Sequence, residues 1–456
     1  MFTGPCSCPF VEATATSMIS LKALLAGTLL AIGLPLRSAG FPYGHQKFRG
    51  VNLAGWLVLE PWITPSLFDN TGDDGIVDEW TFAQYQDHNT TVSTLQNHWD
   101  TFITEQDFVD IANAGLNLVR IPIGYWAFDV KPGEPYISGQ LPYLQKAVGW
   151  ARDNGLQIIV DLHGAPGSQN GYDSSGQRLP APLWHTNQTN IERTKAVIQN
   201  ITDTFSHDKD VVSAIEPLND PAGYYSGGAM LEAVRQYYQD SYASIHQSSS
   251  SPLVVLHDAS QSPAYWRGFE TPPSEEDVAM DTHSYQIFNS QINNAFDQHV
   301  RTACQMPSTL SQYALWVIVG EWTPSYTDCA KYLNGRGVGA RYDGSYPGSK
   351  HIGSCDGFTG SGDTFSQEYI TNMAKYWDAQ TTAFENVTIG WIQRTWKTES
   401  ADEWSYQAGL KYGWIPQNAS QHTYTAICDD GQDEIVSATL ASHNLTHHGH
   451  KGTVRH

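Results

Sequence analysis

Two carboxylates that follow apolar runs are the residues best able to do chemistry in this chain. Asp220 stands in Asn219-Asp220-Pro221, behind the run from Val211 to Leu218, and Glu321 stands in Gly320-Glu321-Trp322, behind Leu315 to Val319. Two carboxyl groups about 5 to 5.5 Å apart can cleave a glycosidic bond with retention, one attacking the anomeric carbon while the other protonates the departing oxygen. Each fragment also has an ordinary reading. Asn-Asp-Pro is common turn composition, and a glutamate at a strand end can simply be an ion-pair partner. A scaffold that brings both to one place would favour the chemistry.

Such a scaffold is legible. From about residue 48 onward, short β-rich runs alternate with helical patterns, which argues for parallel strands joined by crossover helices. Thr104 and Asp107 can cap a helix whose apolar stripe is Phe108, Ile111 and Ala112; Gly115 stops it, and Leu116 to Ile121 reads as the next strand. Leu144, Ala147, Val148 and Ala151 share a second helical face, followed by Gly155 and the strand Leu156 to Asp161. Val197, Ile198, Ile201 and Phe205 mark a third helix. Further strands are expected at Phe48 to Leu53, Val211 to Leu218, Leu253 to Leu256, Val278 to Thr282, Leu315 to Val319 and Thr388 to Trp396.

Eight strands point to a single (β/α)8 barrel, an α/β fold whose active site lies where the strands end. An open doubly wound sheet is the alternative, but no Gly-x-Gly-x-x-Gly follows an early strand. Arg120, His163, Asp220, His283, Glu321 and Trp396 all fall at or just beyond a proposed strand end, so the barrel gathers them on one rim.

Composition bounds the partners. A formal net charge of -22 repels nucleic acid and anionic membranes, and 15 Trp with 23 Tyr supply flat rings of the kind that stack on sugars. Residues 1–40 read as a secretory leader. Lys22 precedes the apolar run Ala23 to Leu36, Ser38-Ala39-Gly40 offers small residues for cleavage, and a second start at Met18 would make residues 1–17 an upstream extension. No later segment is apolar enough to cross a membrane, so a secreted, extracellular or cell-wall protein is expected; it is also expected to be a monomer. Excluding Cys6 and Cys8 leaves Cys304, Cys329, Cys355 and Cys428, an even set suited to disulfides in any of three pairings. None forms a Cys-x-x-Cys pair, and no metal or cofactor is expected. Glycosylation sequons stand at Asn89, Asn187, Asn200, Asn386, Asn418 and Asn444. Residues 429–456 form a polar tail with His443, His447, His448, His450 and His456, expected to be disordered, which bounds the catalytic domain to 41–428.

Several longer segments carry a resemblance. Arg49 to Pro61 (RGVNLAGWLVLEP), Arg120 to Trp126, Asp161 to Gly176, Asp281 to Phe288, Gly320 to Trp322 and Thr395 to Glu399 occur in order. Together they resemble the fungal exo-β-1,3-glucanases of glycoside hydrolase family 5. The resemblance implies Glu321 as nucleophile, Asp220 as acid and base, and Asn219 as partner of the sugar 2-hydroxyl. It places Arg120, His163, His283 and Tyr285 around the nucleophile and gives Glu60, Asp173 and Trp396 the non-reducing-end glucose. Tyr172 and Phe288 would clamp an acceptor sugar, so transglycosylation is open beside hydrolysis. The implied disulfides are Cys304 with Cys428 and Cys329 with Cys355.

Two positions depart from that pattern. The acid/base position reads Glu in the family and Asp220 here, which withdraws the carboxyl by roughly 1.5 Å; misplacement of about 1 Å can cost on the order of a hundredfold in rate. Glu216, four residues earlier, is expected to be a buried structural carboxylate. Gln393-Arg394 stands where family members usually show aromatic residues, and Arg394 could alter the pocket floor or face outward. The reading is therefore an exo-acting β-1,3-glucanase, with a catalytically impaired glucan-binding barrel as its rival and β-1,6- or β-1,4-glucan cleavage as a lesser one.

Overall fold

Eight short runs rich in aliphatic residues pair in chain order, and the last closes on the first to give a barrel. In the computed structural model, which describes residues 44–246, 252–272 and 276–429, the strands are β1 (Phe48–Asn52), β2 (Leu118–Gly124), β3 (Gln157–Gly164), β4 (Val212–Glu216), β5 (Leu253–His257), β6 (Val278–Ser284), β7 (Trp316–Trp322) and β8 (Gly390–Gln393). Every pairing is parallel, with helices carrying the crossovers except between β5 and β6, where the described residues form turns and loop. The expected leader, Cys6, Cys8, Asn444 and the His-rich tail from residue 430 lie outside the described residues.

The helices begin and end where their local chemistry dictates. Asp107 accepts the Thr104 backbone N–H at 2.8 Å, closing a capping box at the start of the helix Glu105–Asn113. The helix Leu141–Asp153 buries Leu144, Ala147, Val148 and Ala151, and Gln188–Thr204 buries Val197, Ile198 and Ile201. These faces pack on the outward side chains of the strands, forming the main core between sheet and helix ring.

Inside the barrel a second apolar cluster fills the floor, built from Phe48, Leu118, Ile159, Ala214, Leu253, Val255, Ala279, Ile318, Ile389 and Ile392. Strand side chains alternate with a period of two. Two or four residues further along the same inward faces stand Asn52, Arg120, Asp161, Glu216, His257, Asp281, Gly320 and Arg394. A polar layer thus rests on a dry plug.

Strand bounds differ from expectation where this layer begins. β2, β3, β6 and β7 run past their anticipated ends, so His163, His283 and Glu321 lie within strands, and Arg120, inside its expected strand, is wholly buried. β8 stops at Gln393, short of Trp396. Two disulfides join Cys304 to Cys428 and Cys329 to Cys355, closing separations of 124 and 26 residues. Among the described residues no helix is long and apolar enough to cross a membrane.

Candidate active site

Arg120 organises the polar layer. Its Nε donates to Glu216 at 2.8 Å, Nη2 donates to Asn219 at 2.7 Å, and Nη1 donates to Asn52 at 3.0 Å and to Glu321 at 3.1 Å. Asp161 lies 3.2 Å from the same Nη1. A fully buried guanidinium needs this many acceptors, and here they come from β1, β3, β4, β7 and the segment after β4. Burial and neighbouring carboxylates push Asp161 up to about 7 against the pull of Arg120, and burial pushes Glu216 well above its ordinary value.

Glu321 reaches this layer through an irregularity in the sheet. Along β7 the inward parity of Ile318 continues to Gly320, which should leave Glu321 facing out. The β6–β7 register shifts, pairing Thr282 with Val319 and then His283 with Glu321, so Gly320 is the extra residue. A bulge of this kind re-aims the following side chain, and it turns Glu321 inward. A Cβ on Gly320 would sit 2.1 Å from Asp281 Oδ2, so the close approach requires glycine. Asp281 Oδ1 in turn accepts the Gly320 N–H at 2.7 Å.

Once inward, Glu321 is held on both oxygens. Oε1 accepts from Arg120 and Arg394, and Oε2 accepts from the Tyr285 hydroxyl at 2.9 Å, with His283 Nδ1 3.6 Å away. Burial opposes its ionisation, but Arg394, His283 and Arg120 outweigh burial and hold the carboxyl well below the usual range. His283 is pushed up to about 10, because Glu321, Asp281 and Asp220 overcome the burial of its ring.

Asp220 faces this cluster from the segment after β4, with its backbone in the left-handed region at φ 43°. Its carbonyl accepts from Asn170 at 3.2 Å, and its carboxyl is 30% exposed with His257 Nε2 at 3.8 Å. Burial raises its pKa, Glu321 adds to that, and the cations His283, Arg394 and Arg120 only partly offset it. The two carboxylates are therefore driven in opposite directions.

The inner end of the pocket is built from Glu60, Trp62, His163, Asp173 and Arg394. Arg394 bridges Glu60 and Glu321, and Trp62 donates to Glu60 at 2.9 Å. His163 Nδ1 lies 2.7 Å from Asp161, and burial with the nearby Arg394 charge lowers that imidazole to about 3, so it is neutral. Burial and the Glu60 charge push Asp173 up to about 7. Glu60 Oε1, Asp173 Oδ2 and His163 Nε2 are buried without a protein partner. Polar atoms in that state suit a ligand rich in hydroxyls.

Trp396 is placed differently from its expected role. Its indole N–H donates to Asp107 at 2.9 Å, its ring stacks on Tyr406, and only 1% of it is exposed. Residues 394 and 396 share parity, but β8 ends at Gln393 and the chain turns beneath the helix that Asp107 caps. Arg394 is the side chain that this segment delivers to the carboxylates. At the mouth, Tyr172 and Phe288 are exposed, with the Tyr172 hydroxyl 2.6 Å from that of Tyr224 and Phe288 5.2 Å from the Tyr285 ring.

Asn52, His257 and Asp281 join the site without having been singled out from sequence. His257 directly follows the anticipated strand Leu253 to Leu256, so the strand-end rule that marked His163 would have found it. Two groups among the described residues, Asp220–His257–His283 and Glu216–Asp281–His283, bring three donor atoms within 4.8 Å. Both draw on His283, whose proton is held by Glu321 and Asp281, so a metal would have to displace it.

The family model described as Cellulase (glycosyl hydrolase family 5) matches residues 83–335. A protein of Blumeria graminis named Glucan 1,3-beta-glucosidase is 42% identical over 422 residues, covering 91% of this chain and 97% of its own length. One of the same name from Pichia angusta is 41% identical over 425 residues, covering 91% and 95%. Among solved structures, rutinosidase from Aspergillus niger superposes with a TM-score of 0.65 at 19% identity, covering 82% of this chain and 99% of its own. That likeness is one of fold.

Proposed function

The chain belongs to glycosyl hydrolase family 5, and from that premise we propose that it is a secreted, retaining, exo-acting glucan 1,3-β-glucosidase. The observation that carries the assignment of roles is the opposite tuning of two facing carboxylates. Glu321 is held ionised by three cations, and Asp220 is biased toward its protonated form. Glu321 attacks the anomeric carbon, Asp220 protonates the departing oxygen, and the same Asp220 then takes a proton from the water or sugar hydroxyl that displaces Glu321. Asn219, fixed by Arg120, stands beside the nucleophile where a 2-hydroxyl would lie.

Glu60, Asp173 and Arg394 give the inner pocket a polar end wall, which supports release of single glucose units from a non-reducing end. Tyr172 and Phe288 at the mouth supply rings for an acceptor, which supports transglycosylation beside hydrolysis. The sequons at Asn89, Asn187, Asn200, Asn386 and Asn418 are all exposed and suit a secreted glycoprotein.

Laminarin hydrolysis followed by proton NMR tests the reading. Glucose released first as the β-anomer is expected; α-glucose or mainly oligosaccharide products would overturn it. Binding of laminarin without turnover would favour an impaired glucan-binding barrel, a reading prompted by the short Asp220 arm and by Arg394 inside the pocket. Faster release from β-1,6- or β-1,4-glucan would reassign the linkage.

A further inference from the structure

We propose that Arg394 is a positioning residue for the nucleophile, its guanidinium fork tying one oxygen of Glu321 to one oxygen of Glu60 and so selecting which oxygens remain for substrate. Nη1 donates to Glu321 Oε1 and Nη2 to Glu60 Oε2, while the guanidinium lies 5.8 Å from the Trp62 ring centre. Only 6% of Arg394 is exposed, so the fork is not a surface pairing that water readily replaces.

The consequences follow from which lone pairs are used. Glu321 Oε1 serves two guanidinium groups, those of Arg120 and Arg394, whereas Oε2 faces only the Tyr285 hydroxyl at 2.9 Å and His283 at 3.6 Å. Oε2 is therefore the oxygen left to attack. On Glu60, Oε2 is taken by Arg394 and Trp62, and Oε1 has no protein partner, which leaves it to receive a sugar hydroxyl. A second cation on Oε1 also lowers the basicity of the carboxylate. It becomes a weaker nucleophile in the first step and a better leaving group in the second.

This inference rests on Glu321 being the attacking carboxylate, and the experiment separates the two claims. The probe is 2,4-dinitrophenyl 2-deoxy-2-fluoro-β-D-glucoside. Glu321 Oε2 bonds to its anomeric carbon, and dinitrophenolate leaves with the bonding electron pair. No proton is needed, so Asp220 does not limit the step. The inactivation rate is followed against pH, and the labelled peptide is identified by mass.

With Arg394→Met the acidic limb is expected to move up by about one pH unit or more, because removing an adjacent cation raises a carboxylate pKa on that scale. With Arg394→Lys, which keeps the charge but spans only one partner, the limb is expected to stay within about half a unit while the probe binds several-fold more weakly. Limbs and probe affinity unchanged in folded variants would overturn the proposal; should the Met variant fail to fold, the Lys variant decides. Wild-type protein that is not labelled on Glu321 would refute the nucleophile assignment, and this inference with it.

Discussion

At Asp220, the proposed acid and base, the side chain is one methylene shorter than a glutamate, and the proposal is that this shorter reach limits proton donation. The carboxyl is 30% exposed, and the His257 ring 3.8 Å away is kept neutral by burial, which leaves space for a longer arm. Asp220→Glu is expected to raise kcat/KM on laminarin by about 10- to 100-fold. A smaller gain is expected on an aryl glucoside whose leaving group departs unprotonated. No gain on laminarin, or equal gains on both substrates, would contradict the claim that reach limits proton donation. The pH profile follows from the same pair. Glu321 must be ionised and sits low, so activity is lost only at strongly acidic pH; Asp220 must be protonated, so turnover falls as pH rises through its elevated pKa.

Among the elements, β7 carries the most consequential feature, the bulge at Gly320. It reverses the parity of one residue and so converts an outward glutamate into the centre of the site. Gly320→Ala forces a methyl against Asp281, whose Oδ2 would lie 2.1 Å from it. Backbone and carboxylate must shift to relieve the clash. A loss of roughly 1 to 3 kcal/mol in urea-unfolding stability is expected, together with a fall in kcat larger than any rise in KM. A variant with wild-type stability and turnover would show that the bulge does not depend on glycine.

On the scale of the whole molecule, buried acids set the response to pH. Burial pushes Glu79 and Glu403 up to about 8 and Asp161 and Asp173 up to about 7. Each raised acid contributes stability that is full below its unfolded pKa of about 4 and is lost as pH climbs through its folded value. His283, raised to about 10, adds a contribution that starts to fade above the unfolded histidine value. His98 and His163, lowered to about 4 and about 3, act the opposite way, but only below about pH 6.5. Above that point the trends agree, and a formal net charge of -22 adds self-repulsion. The melting temperature is therefore expected to fall steadily from pH 6.5 to pH 9. A flat or rising curve over that range would show that these acids are not protonated in the fold.

The barrel was legible in the amino-acid sequence, because alternation of apolar strands with amphipathic helices is a local pattern, as are the Thr104 cap and the Gly115 stop. The sequence also placed Glu321, Asp220, Arg120, His163 and His283 near strand ends, since strand position is one-dimensional information. Direction was not legible. Parity along β7 pointed Glu321 outward until a register shift against β6 turned it, and parity could not choose between Arg394 and Trp396. Tertiary structure settled both by pairing. A neighbouring strand supplied the bulge, and Asp107 from a distant helix cap captured the Trp396 indole, leaving Arg394 to the carboxylates. Such outcomes depend on partners far away in the chain, and no spacing within a segment encodes them.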